Sequence, residues 1–400
     1  MSSTLSNSSS NSSIPSSTKP RAATLESIDA LTGVRILAAL WVLISHMDQE
    51  LFTLFPASKV LQPFIGSGFL GVDLFFILSG LIISYNYAPR FDGTLGSSTS
   101  SSTALSLNRA EQRADWWRMY VRFLWLRIAR LYPVHLLTLF AVLGMYLASQ
   151  VMHVKLNLED GYGAFDFVRN LFLVHAWFSY GFNWNGPAWS ISAEWFAYLM
   201  FPLFAVLTAR VKNNWQVLAT LAVLVTLPLL NSFGNNPLLN ILHLLRITSE
   251  FLAGCLLYRL YARGAGSSLP WPILTPLAGV LVVVAAVVLE PLGTTLFWVS
   301  PLLALFVYGV SQQRGAFALA LAGPRMVFWG QVSYSLYMTH SIVRTVLRKF
   351  LQYQHFADSS VLIRLGILGV YGLCFAGAAV LVYLYVEEPA RHWLRKRMPA

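Results

Sequence analysis

Charge is scarce in this sequence: Asp, Glu, Lys and Arg make up 11% of its 400 residues, against about 25% in soluble globular chains. A soluble chain of this length needs more charge than that to cover its surface. Cysteine is scarce too. Cys255 and Cys374 both lie in apolar runs with no His or Cys at ligand spacing, which reads as two buried thiols and leaves no metal site and no disulfide framework. No internal repeat relates the two halves of the chain. What the sequence has instead is apolar: 56% hydrophobic residues and a mean hydropathy of +0.58. Soluble enzyme, disordered scaffold and disulfide-rich secreted protein are excluded together. The composition is that of an all-α integral membrane protein, a polytopic helical bundle.

The basic excess, 28 Lys and Arg against 17 Asp and Glu, reads the same way. Positive residues collect in cytoplasmic loops, so a multi-span protein is basic without any nucleic-acid partner. Ten segments are long enough to cross about 30 Å of hydrocarbon: residues 30–48, 67–87, 131–151, 187–208, 215–231, 238–261, 271–289, 294–311, 327–347 and 362–386. Basic residues favour the loops after the even-numbered spans (Arg118, Arg122, Arg210, Arg259, Arg263, Arg314) together with both tails, Arg348 and Lys349 being the main exception. Both termini are therefore expected in the cytoplasm. Residues 1–28, rich in Ser and Asn, form a disordered tail with no signal-peptide pattern. Residues 29–390 form the transmembrane domain and 391–400 a basic tail. A Ser-rich insert runs from Ser97 to Thr103, and Phe165–Phe178 reads as an interfacial or re-entrant helix.

Ionisable groups inside such spans are costly, which makes each a functional candidate. Arg35 and His46 stand eleven residues apart, three turns and about 20° on one helix face and about 16 Å along it. A snorkelling Arg with an interfacial His is the plain alternative. Asp73, at about the depth of His46, could orient its imidazole or complement a helix N-terminus. Ser79 and Gly80 permit close helix packing. Arg127 and Arg130 form an i, i+3 fork suited to phosphate, or serve as positive-inside flanks, with Tyr132 beside them. Glu194 lies about two turns into apolar surroundings, and Arg246 and Glu250 at i, i+4 suggest a neutralising pair. Tyr334, Tyr337, His340 and Arg344 share the ninth span.

Six stretches in order along residues 30–390 carry a resemblance: Leu31 to Arg35 on to His46, Gly71 to Gly80, Arg127 to Pro133, Pro187 to Trp195, Val332 to His340, and Val386 to Pro389. The chain resembles the membrane acyltransferase-3 family, which O-acylates surface glycans and some small molecules, in its stand-alone form. The resemblance implies a ten-helix bundle in a bacterial inner membrane, acyl-CoA as donor, and a functional Arg35–His46 pair. The expectation is an O-acetyltransferase moving acetyl from acetyl-CoA to a hydroxyl of a glycan, with no permanently bound cofactor. His46 would act as general base or transient acyl carrier, with Arg35, Asp73 and Glu194 beside it; Arg127, Arg130, Tyr132 and Ser79 are assigned to the donor. A secondary transporter or flippase, or the same chemistry on a natural product, are the rival readings.

Overall fold

The computed structural model describes residues 28–92, 109–153, 162–177, 184–226, 239–292 and 296–398; most of the N-terminal tail and the Ser97–Thr103 insert lie outside them. Among the described residues there is no strand. The helices, in chain order, are α1 (Asp29–Ser45), α2 (Asp48–Leu54), α3 (Gln62–Gly66), α4 (Leu70–Phe91), α5 (Arg109–Val151), α6 (Ala164–Leu171), α7 (Ala188–Ala209) and α8 (Asn214–Thr226). They continue as α9 (Leu239–Ala262), α10 (Trp271–Leu289), α11 (Ser300–Ser311), α12 (Gly315–Leu321), α13 (Pro324–Leu351), α14 (Val361–Val382) and α15 (Glu388–Lys396), with a π-helical turn at Tyr383–Glu387 joining the last two.

Two tight helix pairs form the centre, each closed by glycine. A Cβ on Gly80 would lie 1.9 Å from the Phe251 carbonyl oxygen and one on Gly254 2.1 Å from that of Ile77, so α4 and α9 touch backbone to backbone. Gly33 and Gly330 do the same for α1 against α12 and α13. With hydrocarbon outside, apolar burial does not press helices together, and small residues supply the contact instead.

The contacts also set direction. Thr32 meets Gly330 and His46 meets His340, so α1 and α13 run parallel. Asp73 pairs with Arg246 and Asp92 with Arg259, so α4 and α9 are parallel too. Ala38 abuts Gly71 while Arg35 lies over Phe75, which makes α1 and α4 antiparallel. The bundle thus has two ends. One carries the start of α1 and the ends of α4 and α9; the other carries His46, the start of α4 and the end of α13.

Burial separates inner from outer helices. The most apolar window of Pro56–Phe91 is 72% buried, but only 22% of that of Trp271–Leu289 and of Val361–Lys396. Ile273, Val280 and Val284 on α10 and Leu362, Leu365 and Leu373 on α14 point outward. Such apolar belts on self-satisfied helices suit lipid, and the protein is integral to a membrane.

The expected count of ten spans is not established. By length and composition five described helices qualify, or six when α1 and α2, bent by 62°, are taken as one. Charge is one reason, since α9 holds Arg246, Glu250 and Arg259 and α13 holds Arg344, Arg348 and Lys349. Length is another, since α8 and α11 have 13 and 12 residues. The third expected span also starts earlier than read: α5 runs for 43 residues from Arg109, so Arg127 and Arg130 lie within it rather than at its head. Where an interfacial helix was expected at 165–178, the short amphipathic α6 occurs, and Phe178 lies outside the described residues.

Candidate active site

α1 ends at His46, and that end shapes the imidazole. His46 caps the helix, and its Nδ1 lies 2.8 Å from the Val42 carbonyl oxygen. A carbonyl only accepts, so Nδ1 carries the hydrogen and Nε2 keeps a bare lone pair. The ring is exposed to a cleft of about 680 Å³ whose wall also includes Gln49, Trp184, Asn185, Trp189, His340, Arg344 and Arg348. His46 therefore presents a base, with the Nε2 lone pair on the cleft side and Nδ1–H held by the helix end.

The cleft wall is braced by buried charge. Glu50, 0% exposed, accepts from Arg344 through both oxygens, at 2.9 and 3.0 Å, and from Arg348 Nε at 2.6 Å. The i, i+4 spacing of the arginines puts both on one face of α13, and this fork ties α2 to it. Edge-on to His46 stands His340, 2% exposed, with ring centroids 4.9 Å apart. Its Nδ1 donates to the Tyr337 carbonyl at 2.5 Å.

Below the cleft, sharing Val72 and Tyr337 in its wall, is a neck of about 40 Å³ lined by Arg35, Phe75, Ser79, Ser190, Glu194 and Tyr334. A neck of that size has room for about three waters, each of which needs about 10–15 Å³. Polar groups line it in contact with one another. Ser79 Oγ donates to Glu194 Oε1 at 2.7 Å, and the Tyr198 hydroxyl donates to the same oxygen. Ser190 and Tyr337 hydroxyls lie 2.9 Å apart. The Arg35 guanidinium sits 6.0 Å over the Phe75 ring, in the field of Glu194 and Glu387.

Set against the sequence, the structure joins some candidates and separates others. Arg35, Ser79 and Glu194 share the neck, and His46 stands in the adjoining cleft. Asp73 is a correction: it does not orient His46. It is 1% exposed and bonded to Arg246, which also reaches Glu250 at 3.5 Å, so the pair read on α9 is a buried triad between α4 and α9. Ser79, expected at the donor or in packing, holds Glu194. The Arg127–Arg130 fork is split. Arg127 is enclosed by the rings of Tyr87, Phe123 and Tyr198 and donates to the Tyr87 hydroxyl at 3.3 Å, whereas Arg130 lies in the field of Glu194 and Glu387. Tyr132 packs edge-on to Trp195 and His135.

The acyltransferase domain of the acyltransferase-3 family matches residues 28–386. The chain belongs to the acyltransferase-3 family. Among curated relatives, the acyltransferase MdmB of Streptomyces mycarofaciens is 28% identical over 204 residues, which is 50% of this chain and 45% of MdmB. Protein 2 in the picA locus of Rhizobium radiobacter is 27% identical over 205 residues, 48% of this chain and 90% of that protein. The chain thus spans less than half the length of MdmB. No solved structure matches.

Within this acyltransferase-3 chain, Glu50 and Glu387 had no role assigned from sequence. Glu387, 2% exposed, accepts from Ser335 Oγ at 2.6 Å and sits at the end of the π-helical turn, facing the charges of Arg35 and Arg130. π-Turns inside helices recur at functional sites. Its signal was present as a carboxylate just after a long apolar run, in the stretch Val386–Pro389.

Proposed function

We propose that this chain is an O-acyltransferase of a bacterial inner membrane that moves a short acyl group, acetyl first among them, from acyl-CoA to a hydroxyl of a glycan or related acceptor. Both termini would face the cytoplasm, with donor entering from the end that holds the start of α1 and acceptor from the wide cleft. The observation that carries this reading is the bare Nε2 of His46 in a cleft that shares Val72 and Tyr337 with a narrow polar neck. Such an arrangement suits two substrates that meet end to end: a slender thioester arm in the neck and a broad acceptor in the cleft. The half-buried Trp189 offers a ring to a sugar, and the exposed Gln49, whose Oε1 accepts from Arg348, offers its amide N–H to a sugar hydroxyl.

In the proposed reaction the acceptor hydroxyl gives its proton to His46 Nε2 as its oxygen attacks the thioester carbonyl. The carbon–sulfur bond then breaks, and the leaving thiolate takes the proton back from the imidazolium. The Val42 carbonyl holds Nδ1–H throughout, the part a carboxylate plays in a hydrolase triad. The Arg35 N–H groups, about three turns below His46 in the neck, would hold the donor's arm so that its thioester reaches the base. Direct transfer of the acyl group to Nε2 would use the same geometry. Family membership favours transfer over the secondary-transporter reading.

The test is labelling. Protein in nanodiscs, given [14C]acetyl-CoA and a panel of oligosaccharides, should yield acceptor-borne label that mild alkali releases, as an ester must. Label that resists alkali, or none on any hydroxylated acceptor, would refute O-acyl transfer.

A further inference from the structure

The end of the bundle opposite the His46 cleft carries a crowd of guanidinium groups. Arg90 and Arg127 both lie over one ring, that of Tyr87, at 5.7 and 5.4 Å. α15 lies across α5, where Trp125 Nε1–H donates to the Leu394 carbonyl at 2.7 Å. That bond holds the exposed Arg395 in the field of Arg391, Arg127, Arg130 and Tyr87. Glu388 lies 3.7 Å from Arg391, and the buried Glu387, bonded to Ser335, faces Arg130 and Arg391, whereas Arg90, Arg127 and Arg395 have no carboxylate in salt-bridge contact among the described residues. Like charges gathered this closely repel one another unless an anion joins them. Beside the cluster, aromatic rings run from Tyr87 through Phe123 and Phe91 to Trp116, with successive centroids 5.0, 5.8 and 6.2 Å apart. Trp116 is 40% exposed. Exposed aromatics next to arginines suit a nucleobase attached to phosphates.

We infer that Arg90 and α15, through Arg391 and Arg395, form with Arg127 the site for a phosphate-rich nucleotide, the adenosine bisphosphate head of the proposed donor, with Trp116 as the shelf for its base. This rests on the donor reading and moves the phosphate contacts away from Arg130, which faces Glu194 and Glu387. The mechanism leaves Arg90 and Arg395 unused. Both are exposed, so their replacement spares the core. A phospholipid headgroup offers the same phosphate chemistry, and the experiment separates the two.

Full-length protein in phosphatidylcholine nanodiscs would be titrated calorimetrically with CoA, 3′-dephospho-CoA and pantetheine, comparing wild type with Arg90→Ala/Arg395→Ala and with Arg395→Glu. Unchanged thermal unfolding would show that the variants fold. Each variant should bind CoA about tenfold or more weakly, as expected when charge-assisted contacts are lost. Dephospho-CoA should lose less, and pantetheine binding should not change. Wild-type affinity for CoA in both variants would overturn the inference while leaving the donor reading intact. Failure of the wild type itself to bind CoA would instead strike the donor reading. If CoA affinity is kept and only association with anionic-lipid nanodiscs falls, the patch is a headgroup site and the inference fails.

Discussion

His340 meets His46 edge-on, the ring planes at 67° and the centroids 4.9 Å apart, with the His340 Nε2 buried and without a hydrogen-bond partner among the described residues. The Tyr337 carbonyl fixes one imidazole and the Val42 carbonyl the other. The pair therefore behaves as two anchored rings, of which only His46 is exposed to the cleft.

His340→Gln should leave the fold in place and let the His46 ring turn away from its productive position. The expected result is a fall of about tenfold in kcat with KM little changed, the pattern of an interaction that matters in the transition state. An unchanged kcat would reduce His340 to packing.

The Asp73–Arg246–Glu250 triad leads to a separation of stability from chemistry. Arg246→Ala leaves two carboxylates buried without their cation and should cost about 3–5 kcal/mol, seen as a large drop in Tm in detergent. Asp73→Asn keeps Arg246 paired with Glu250, so stability and transfer should stay close to wild type. Loss of transfer in a well-folded Asp73→Asn protein would return Asp73 to the catalytic group.

Gly80→Ala tests the packing of the core. The new methyl group would meet the Phe251 carbonyl oxygen at 1.9 Å, and backbone on both helices must move. The expected cost is at least about 1–3 kcal/mol, read from thermal unfolding, whereas Ala at Gly366 on the outer α14, with nothing within 4 Å of its Cβ, should be neutral.

Membrane character was legible in composition, and helices occur within every stretch read as a span, because apolar runs of that length have few other solutions. The number of true crossings was not legible. α9 and α13 bury their charges in triads and forks that hydropathy counts as polar. Arg35, Ser79, Glu194 and His46 stood out in sequence because each breaks an apolar pattern, and the fold places the first three in the neck and His46 in the adjoining cleft. Depth misled at Asp73. Two groups at one level of a bundle can face different neighbours, and facing is set by helix pairing that a lone sequence does not display. The role of Glu387 stayed hidden for the same reason, since its partner Ser335 is 52 residues away.

The central claim is that His46 supplies the base. His46 caps a helix rather than filling a core, so His46→Ala should express and unfold like wild type. The most direct measurement is the initial rate of alkali-labile [14C]acetyl transfer by equal amounts of folded wild-type and His46→Ala protein in nanodiscs. A fall of about 10²–10⁴-fold, corresponding to about 3–5 kcal/mol of transition-state stabilisation, is the predicted result. A folded His46→Ala protein that transfers acetyl at near wild-type rate would contradict the account.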